Sequence, residues 1–312
     1  MTMAEPPSGT VTWIDLVDPD RATIEASLGR SVHARALDQL LAPHRHRDDP
    51  RPTLEGHGDY VFGVFLVPHL LDDSSVVYRE VDLVAAQDLV LTVRKSVEGH
   101  GPFDCTAARE LHSAGHVRSS GMVAYHLVDD VAEGYLELTD RLNDRIDALE
   151  DHVDDWASER VRDELSALRH DILHIRRTLS PTRDAVRRVF DDRVDVRVGE
   201  LELFDRSTEL HFADAYEKLM RASEALDLSR DLVAGVRDYY QAKVANDQNE
   251  VMKRLTIVAS LLLPASLIVG FYGMNVHGIP EYRWSFGYEY VLALIVVLTA
   301  GQLLWFRRKR WL

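Results

Sequence analysis

The stretch VGFYGMNVHGIPEYRW, residues 269–284, places Gly273, Met274 and the amide of Asn275 just beyond a run, Leu255 to Phe271, that carries no charge. An amide side chain offers a carbonyl oxygen that accepts and an NH2 group that donates, without net charge. At the mouth of an apolar helix it can cap the helix end, or it can hold a hydrated cation loosely through the ion's waters. Upstream, Asn249, Met252, Leu255, Ala259, Leu263, Ser266 and Gly270 recur at spacings of three and four, which puts them on one helical face. That face is bounded by amides and is mostly apolar between them. Gly270 and Gly273 permit close helix approach, and Pro264 is expected to loosen the hydrogen-bond ladder mid-span. Such a stripe is either ordinary packing against lipid and neighbouring helices or the wall of a narrow pore.

Other chemistries find little support. No GxxxxGKS/T loop is present to cradle a nucleotide. No Ser/His/Asp set or carboxylate pair can be placed on one site, so an enzyme is not expected. Fourteen histidines, HRHR at 44–47 among them, are scattered and lack Cys/His pairing, which argues against a zinc site. The formal charge of −15, from 51 acidic and 36 basic side chains, excludes a generic nucleic-acid binder and suits a cationic partner. A single cysteine, Cys105, cannot form an intrachain disulfide, which fits a reducing cytoplasm. The opening MTMAEPPSGT has neither a basic nor an apolar leader region, so no signal peptide is expected.

The elements that must position the stripe are legible in outline. LTIVASLLLPASLIVGF (255–271) and YVLALIVVLTAGQLLWF (290–306) are charge-free runs of 17 residues, each about 25 Å long as helix, at the short end of what spans a bilayer. Lys253-Arg254 precede the first run and Arg307-Arg308-Lys309-Arg310 follow the second, while the loop between them has Arg283 as its only Lys or Arg and is rich in aromatics. The positive-inside rule then puts both termini in the cytoplasm and the loop outside. In the N-terminal hundred residues, TVTWIDLVDP, DYVFGVFLVP and SVVYREVDLVAAQDLVLTVRK read as strands, the last as two with a turn near Ala86–Asp88. SVHARALDQLLAP reads as a helix stopped by Pro43, and HRHRDDPRP as a loop.

From about residue 118 the pattern becomes helical. Val131, Leu138, Leu142, Ile146, Leu149 and Val153 keep 3–4 spacing among acidic residues. A second helix covers 159–190, with a kink expected at Pro181. A third runs from about 205 into the first apolar run, on the order of 100 Å if unbroken, a length suited to a stalk. Between 129 and 171, fifteen Asp/Glu face five Arg/Lys. This is a solvated helical face, and it is equally compatible with a skirt that concentrates cations.

YGMNV at the end of the first of two terminal spans, followed by IPEYRW and closed by RRKRWL, resembles the CorA family of divalent-cation channels. NDQNEVMKRLTIVASLLLP fits the same pattern, as do TWIDL, ALDQLL, YVFGVF and LSPTRDAVRRV, so the likeness covers nearly the whole chain. The resemblance implies an α+β cytoplasmic domain, a long helical stalk and two C-terminal transmembrane helices, assembled as a pentameric funnel. On this chain the expected parts are 1–115, the α/β domain; 116–250, the stalk; 251–273, the first span; 274–289, the outer loop; 290–307, the second span; and 308–312, a basic tail. Self-association into a homopentamer, contact with membrane lipid, and residence in the bacterial inner membrane follow from the resemblance.

So do residue roles. Gly273, Met274 and Asn275 would form the outer pore entrance. Asn249, Met252, Leu255, Leu263 and Ser266 would line the path, with Met252 and Leu255 as an apolar constriction. Leu263 stands where the commonest family pattern has Met. A ring of Asn275 carbonyls would accept hydrogen bonds from the waters of hydrated Mg2+, an ion slow to shed them, without a charge to trap it. No cofactor is implied; Mg2+ is substrate and regulatory ligand. The carboxylates matching the family's sensor sites are Asp38 and Asp214, with Asp238 a further candidate, and Mg2+ bound between neighbouring subunits would hold the ring closed. Glu281 matches an outer-loop acid of the magnesium branch, yet HGIP before it looks closer to the zinc-transporting ZntB branch. Two alternatives stay open: zinc flux through the same pore, and a membrane-anchored coiled-coil scaffold that conducts nothing.

Overall fold

The computed structural model describes residues 11–43, 51–71, 76–97, 99–117, 119–191, 194, 197–198, 201–274 and 280–311. The chain forms two compact units, one up to Val236 and one from Arg237 onward.

The first unit is built on a five-stranded sheet: β1 (Thr12–Val17), β2 (Thr53–Gly56), β3 (Tyr60–Leu70), β4 (Val76–Ala86) and β5 (Leu89–Arg94), in the order β1-β5-β4-β3-β2. β1 runs parallel to β5, and the remaining neighbours are antiparallel. All the strands expected from sequence form, and the turn falls at Gln87–Asp88. β2, just after the stretch read as a loop, was not foreseen.

Helices α1 (Arg21–Leu28) and α2 (Ala34–Leu41) cover one face. Ile24, Leu28, Ala36 and Leu40 meet Tyr60, Phe62, Val64, Val84, Leu91 and Val93 there. Local chemistry sets the ends of α1. The Asp20 carboxylate accepts from the Thr23 N–H at 2.9 Å, and Gly29 closes the helix at φ 59°. α2 ends at Leu41, and its cap Ala42 directly precedes Pro43.

Past a short α3 (Thr106–Ser113), α4 (Ser120–His152) lies against β3, β4 and β5. With helices on both faces, nearly every position of β4 and β5 is buried, which is why those strands read as continuous apolar runs rather than alternating ones. Val131, Leu138, Leu142, Ile146, Leu149 and Val153 are all buried, as their spacing requires. Most of the acidic side chains among them face solvent. Gly121 is required at the start of α4, because a Cβ there would sit 2.5 Å from the Leu203 carbonyl oxygen. Cys105 is buried, and burial pushes its thiol up to about 11, so it carries no reactive thiolate.

α5 (Ser158–Phe190) is fixed to α4 by Arg145, which donates to Glu164 at 2.9 Å and Asp171 at 2.8 Å. It continues through Pro181 as one helix. β6 (Arg197–Val198) and β7 (Leu201–Glu202) form a two-residue ribbon. α6 (Arg206–Tyr272) starts on an Asp205 cap and contributes to both units. In the first unit its Phe212, Ala215, Leu219, Ala222 and Leu226 are buried. Lys218 bonds Asp129 at 2.9 Å and Glu133 at 3.1 Å on α4.

The second unit holds the rest of α6, a 3-10 turn at Pro280–Arg283 and α7 (Gly287–Arg308). The C-terminal part of α6 and α7 are long and apolar enough to cross a membrane, and few of the residues in their apolar windows are buried. Trp284, Phe286, Tyr288 and Tyr290 gather at the start of α7, with Phe306 and Trp311 stacked at its end. This is the aromatic pattern of two membrane boundaries.

Candidate ion pathway

The membrane part of α6 has two distinct sides. Ile257 is buried, and Ser260, Leu261, Pro264, Ala265, Ile268 and Tyr272 are half-buried, while every other residue from 251 to 274 is exposed. These less exposed positions keep the spacing of three and four that defines one helical face. On this side Gln302 of α7 reaches α6, its amide Nε2 donating to the Ser260 carbonyl at 3.1 Å.

At about 100° per residue, the stripe Met252, Leu255, Ala259, Leu263, Ser266 and Gly270 points about 180° away from that packed side. All six are exposed in the single chain, Leu263 to 70%. Asn249 lies toward the edge of the same sector. The stripe is therefore free for neighbouring copies or for a pathway, and apart from Ser266 it offers no polar side chain between Asn249 and Gly273. Two hydroxyls off the stripe are spent within the helix: Thr256 bonds the Met252 carbonyl at 2.8 Å and Ser260 that of Thr256 at 2.7 Å.

At the outer end, the Gly273 N–H donates to the Val269 carbonyl at 2.8 Å and completes the last turn. A Cβ on Gly273 would lie 2.9 Å from that oxygen, so the tight exit from the helix favours glycine. Met274 is 47% exposed beside it. Asn275 lies outside the described residues. Glu281 sits half-buried in the 3-10 turn, and its carbonyl accepts from the Trp284 N–H at 3.2 Å. That carbonyl also requires the glycine at 287, since a Cβ there would approach it to 2.5 Å.

Each of the three candidate sensor carboxylates is exposed. Asp38 is exposed on α2, with Arg21 at 4.0 Å. Asp214 is exposed on α6 in the first unit, and Asp238, in the second, pairs with its neighbour Arg237 at 3.0 Å. Among the described residues no cluster of three or more His, Cys, Asp or Glu could hold a metal.

The position of Asp38 rests on a buried network that sequence reading missed. Lys95 Nζ donates to Glu80 at 2.5 Å and to the Gln39 carbonyl at 2.7 Å, and lies 2.9 Å from Asp82. The Gln39 amide in turn donates to Glu80 at 2.9 Å. All three charged residues are at most 2% exposed. Burial pushes the Asp82 carboxyl well above the ordinary range, against the pull of Lys95. The residue next to Asp38 is thus pinned through both backbone and side chain. REVD within a strand-like run carried the signal, since charges there must be paired if the strand is central. Gln302 was also missed, although it is the one amide in the second apolar run.

Comparison with known proteins places this geometry. The chain is 28% identical over 311 residues to the cobalt/magnesium transport protein CorA of Thermotoga maritima, covering 98% of this chain and 84% of that one. It is 27% identical over 205 residues to the zinc transport protein ZntB of Yersinia enterocolitica, 65% of this chain and 60% of the other. The solved CorA magnesium transporter of Methanocaldococcus jannaschii shares the fold with a TM-score of 0.79 at 20% identity, over 100% of this chain and 95% of that one. The first of the two apolar runs is closed by GMN, at the end of a helix of 67 residues. The family model of the CorA-like Mg2+ transporter proteins matches residues 8–308, and the chain belongs to that family.

Proposed function

We propose that the chain assembles as a homopentamer whose α6 stripe lines a gated, cofactor-free path for Mg2+, with Co2+ or Ni2+ as further cargo. The observation that carries this reading is the two-sidedness of α6 in the span: α7 takes one side, and the opposite side bears the stripe from Met252 to Gly270. Five such faces make a narrow, largely apolar tube. Met252 and Leu255 constrict it near the cytoplasm and exclude water when closed. Asn275, following the tight turn at Gly273, presents neutral amides to hydrated ions at the mouth, with Met274 beside it and Glu281 in the adjoining loop drawing cations in.

A membrane potential supplies about 2.3 kcal/mol per charge per 100 mV, so a divalent ion enters without nucleotide hydrolysis. Both termini lie in the cytoplasm in this reading, within the bacterial inner membrane, and lipid covers α7. Asp38 and Asp214 hold Mg2+ between adjacent subunits, with Asp238 nearer the membrane. The bound ions stabilise the closed ring by linkage, and their loss frees it to open.

Zinc is the second reading, favoured by the ZntB relative and by HGIP in the outer loop. Proteoliposomes holding the full chain under an inside-negative potential separate the readings. Mg2+ uptake that falls at least about tenfold in Asn275→Ala is expected, the size of losing one set of pore hydrogen bonds. Zn2+ uptake without Mg2+ uptake overturns the choice of ion. An Asn275→Ala protein as active as the parent overturns the amide ring, and no flux of either ion leaves the scaffold.

A further inference from the structure

Pro264 has no N–H, so the Ser260 carbonyl four residues earlier loses its helical donor in the middle of an apolar span. Water does not reach that depth of a bilayer, and an unpaired carbonyl there is costly. α7 places Gln302 at this spot, with Nε2 donating to Ser260 O at 3.1 Å. The orientation of the amide is fixed by chemistry, because an orphan carbonyl can be met only by the NH2 end. The other end is evidence of a different kind. Gln302 Oε1 is buried and, among the described residues, has no hydrogen-bond partner. A leucine would fill the position without leaving a polar atom unpaired, so what the amide contributes here is its donor.

We infer that Gln302 is a positioning residue for ion conduction: its amide takes the place of the missing Pro264 N–H and latches the proline turn of α6 to α7. The inference rests on the reading of the α6 stripe as the pore face. Leu263 adjoins Pro264 and Ser266 lies two residues on, both on the side away from α7. A turn lacking one ladder bond is the weakest part of a helix, and the bond to α7 fixes where that turn holds the two pore-face residues. Without the latch, Ser260 O must find another donor by unwinding or rotating the turn, which moves Leu263 and Ser266 out of register between subunits.

The test is a double-mutant cycle on the full chain with Gln302→Leu, Pro264→Ala and the pair. It reads two quantities, the unfolding midpoint of the assembled protein in detergent and the uptake rate per assembled protein, with Mg2+ and Zn2+ both offered. Gln302→Leu is expected to lower the midpoint and slow uptake about threefold to thirtyfold, the range of one interhelical hydrogen bond in a membrane. In the Pro264→Ala background the restored N–H makes the amide redundant, and the same substitution changes uptake less than about twofold. Equal losses in both backgrounds overturn the inference. A lowered midpoint with unchanged uptake per assembled protein also overturns it, since the amide is then only structural. Should Gln302→Leu fail to assemble, recovery of assembly by Pro264→Ala supports the latch and failure to recover refutes it. A parent that carries neither ion defeats the transport reading instead, a result visible before any variant is compared.

Discussion

Pro181 in α5 and Pro264 in α6 each remove an N–H from a helix interior, so the carbonyls of Arg177 and Ser260 each lose their helical donor. In the first unit Arg177 is exposed, so its carbonyl lies where solvent is the natural replacement. In the second, Ser260 lies in an apolar span, and a side chain from the neighbouring helix serves. The difference extends beyond prolines. The first unit turns apolar residues inward and lets acids face solvent, whereas the second exposes Leu262, Leu267, Val297 and Leu304 to 60–75% and turns its one mid-span amide inward. The same polar group is harmless or costly according to the solvent around it.

The largest test of this contrast lies where the first unit cannot use water. Lys95, Glu80 and Asp82 are buried together and must satisfy one another. Lys95→Met removes the cation that faces both carboxyl groups and the donor to the Gln39 carbonyl, and leaves Glu80 the Gln39 amide. It is expected to destabilise the first unit by about 3–5 kcal/mol, the cost of breaking a buried ion pair. Adding Glu80→Gln should return part of the loss, because one uncompensated charge is gone. Denaturant unfolding of the full chain measures both. A loss below about 1 kcal/mol for Lys95→Met would mean that water enters this core, and the contrast with the span would blur.

What could be read from sequence follows the same division. The strands, the long helices and both spans were visible because their apolar periodicity reports one local solvent boundary, as Val131 to Val153 shows. The stripe from Met252 to Gly270 was visible for the same reason, and its freedom from α7 accords with it. The pairings that hold candidate residues in place were not. Gln39, Glu80 and Lys95 are separated by up to 56 residues, and Ser260 and Gln302 by 42. Spacing shows which residues share a face, but not which distant side chain meets them. β2 escaped because four residues carry too little periodic signal. α1 escaped because it buries only Ile24 and Leu28 and has no proline stop of the kind that marked α2. Asp38, Asp214 and Asp238 came from family resemblance alone, and as exposed single acids they bear no local mark of a site.

Pro181 gives the intermediate test. An alanine there restores the ladder bond to Arg177, and proline costs about 3 kcal/mol relative to alanine in a helix interior. Lost stiffness of the unfolded chain offsets up to about 1 kcal/mol. Pro181→Ala should therefore stabilise the protein by about 1–2 kcal/mol and leave ion uptake unchanged, since among the described residues no side chain bonds the Arg177 carbonyl. Pro264→Ala should behave differently, because there the recruited amide is left without a task. If Pro181→Ala destabilises instead, the half-buried ring packs more tightly than its exposure suggests, and solvent is not what makes this proline tolerable.

Asp130 provides the smallest and most specific test, because it is a half-buried acid of the first unit with no hydrogen-bond or ion-pair partner among the described residues. It is half-buried on α4, beside Asp129, while Lys218 bonds Asp129 and Glu133 rather than Asp130. Burial, with the Asp129 charge second, pushes its carboxyl up to about 6. Its folded value therefore lies above the unfolded one, near 3.9. Between those two values the folded chain holds a proton that the unfolded chain has released, so stability falls as pH rises from about 4 to about 6 and stays reduced above that. Asp130→Asn removes this descent. The variant should match the parent near pH 4 and exceed it by about 1 kcal/mol at pH 7 and above, allowing for solvent screening of a half-buried group. The quantity to measure is the difference in unfolding free energy between variant and parent from pH 4 to pH 8, which cancels the other carboxylates. A difference that is flat with pH would show that solvent reaches Asp130 as freely as it reaches Arg177. The two units would then differ only in the span itself, where the amide of Gln302 has no competitor.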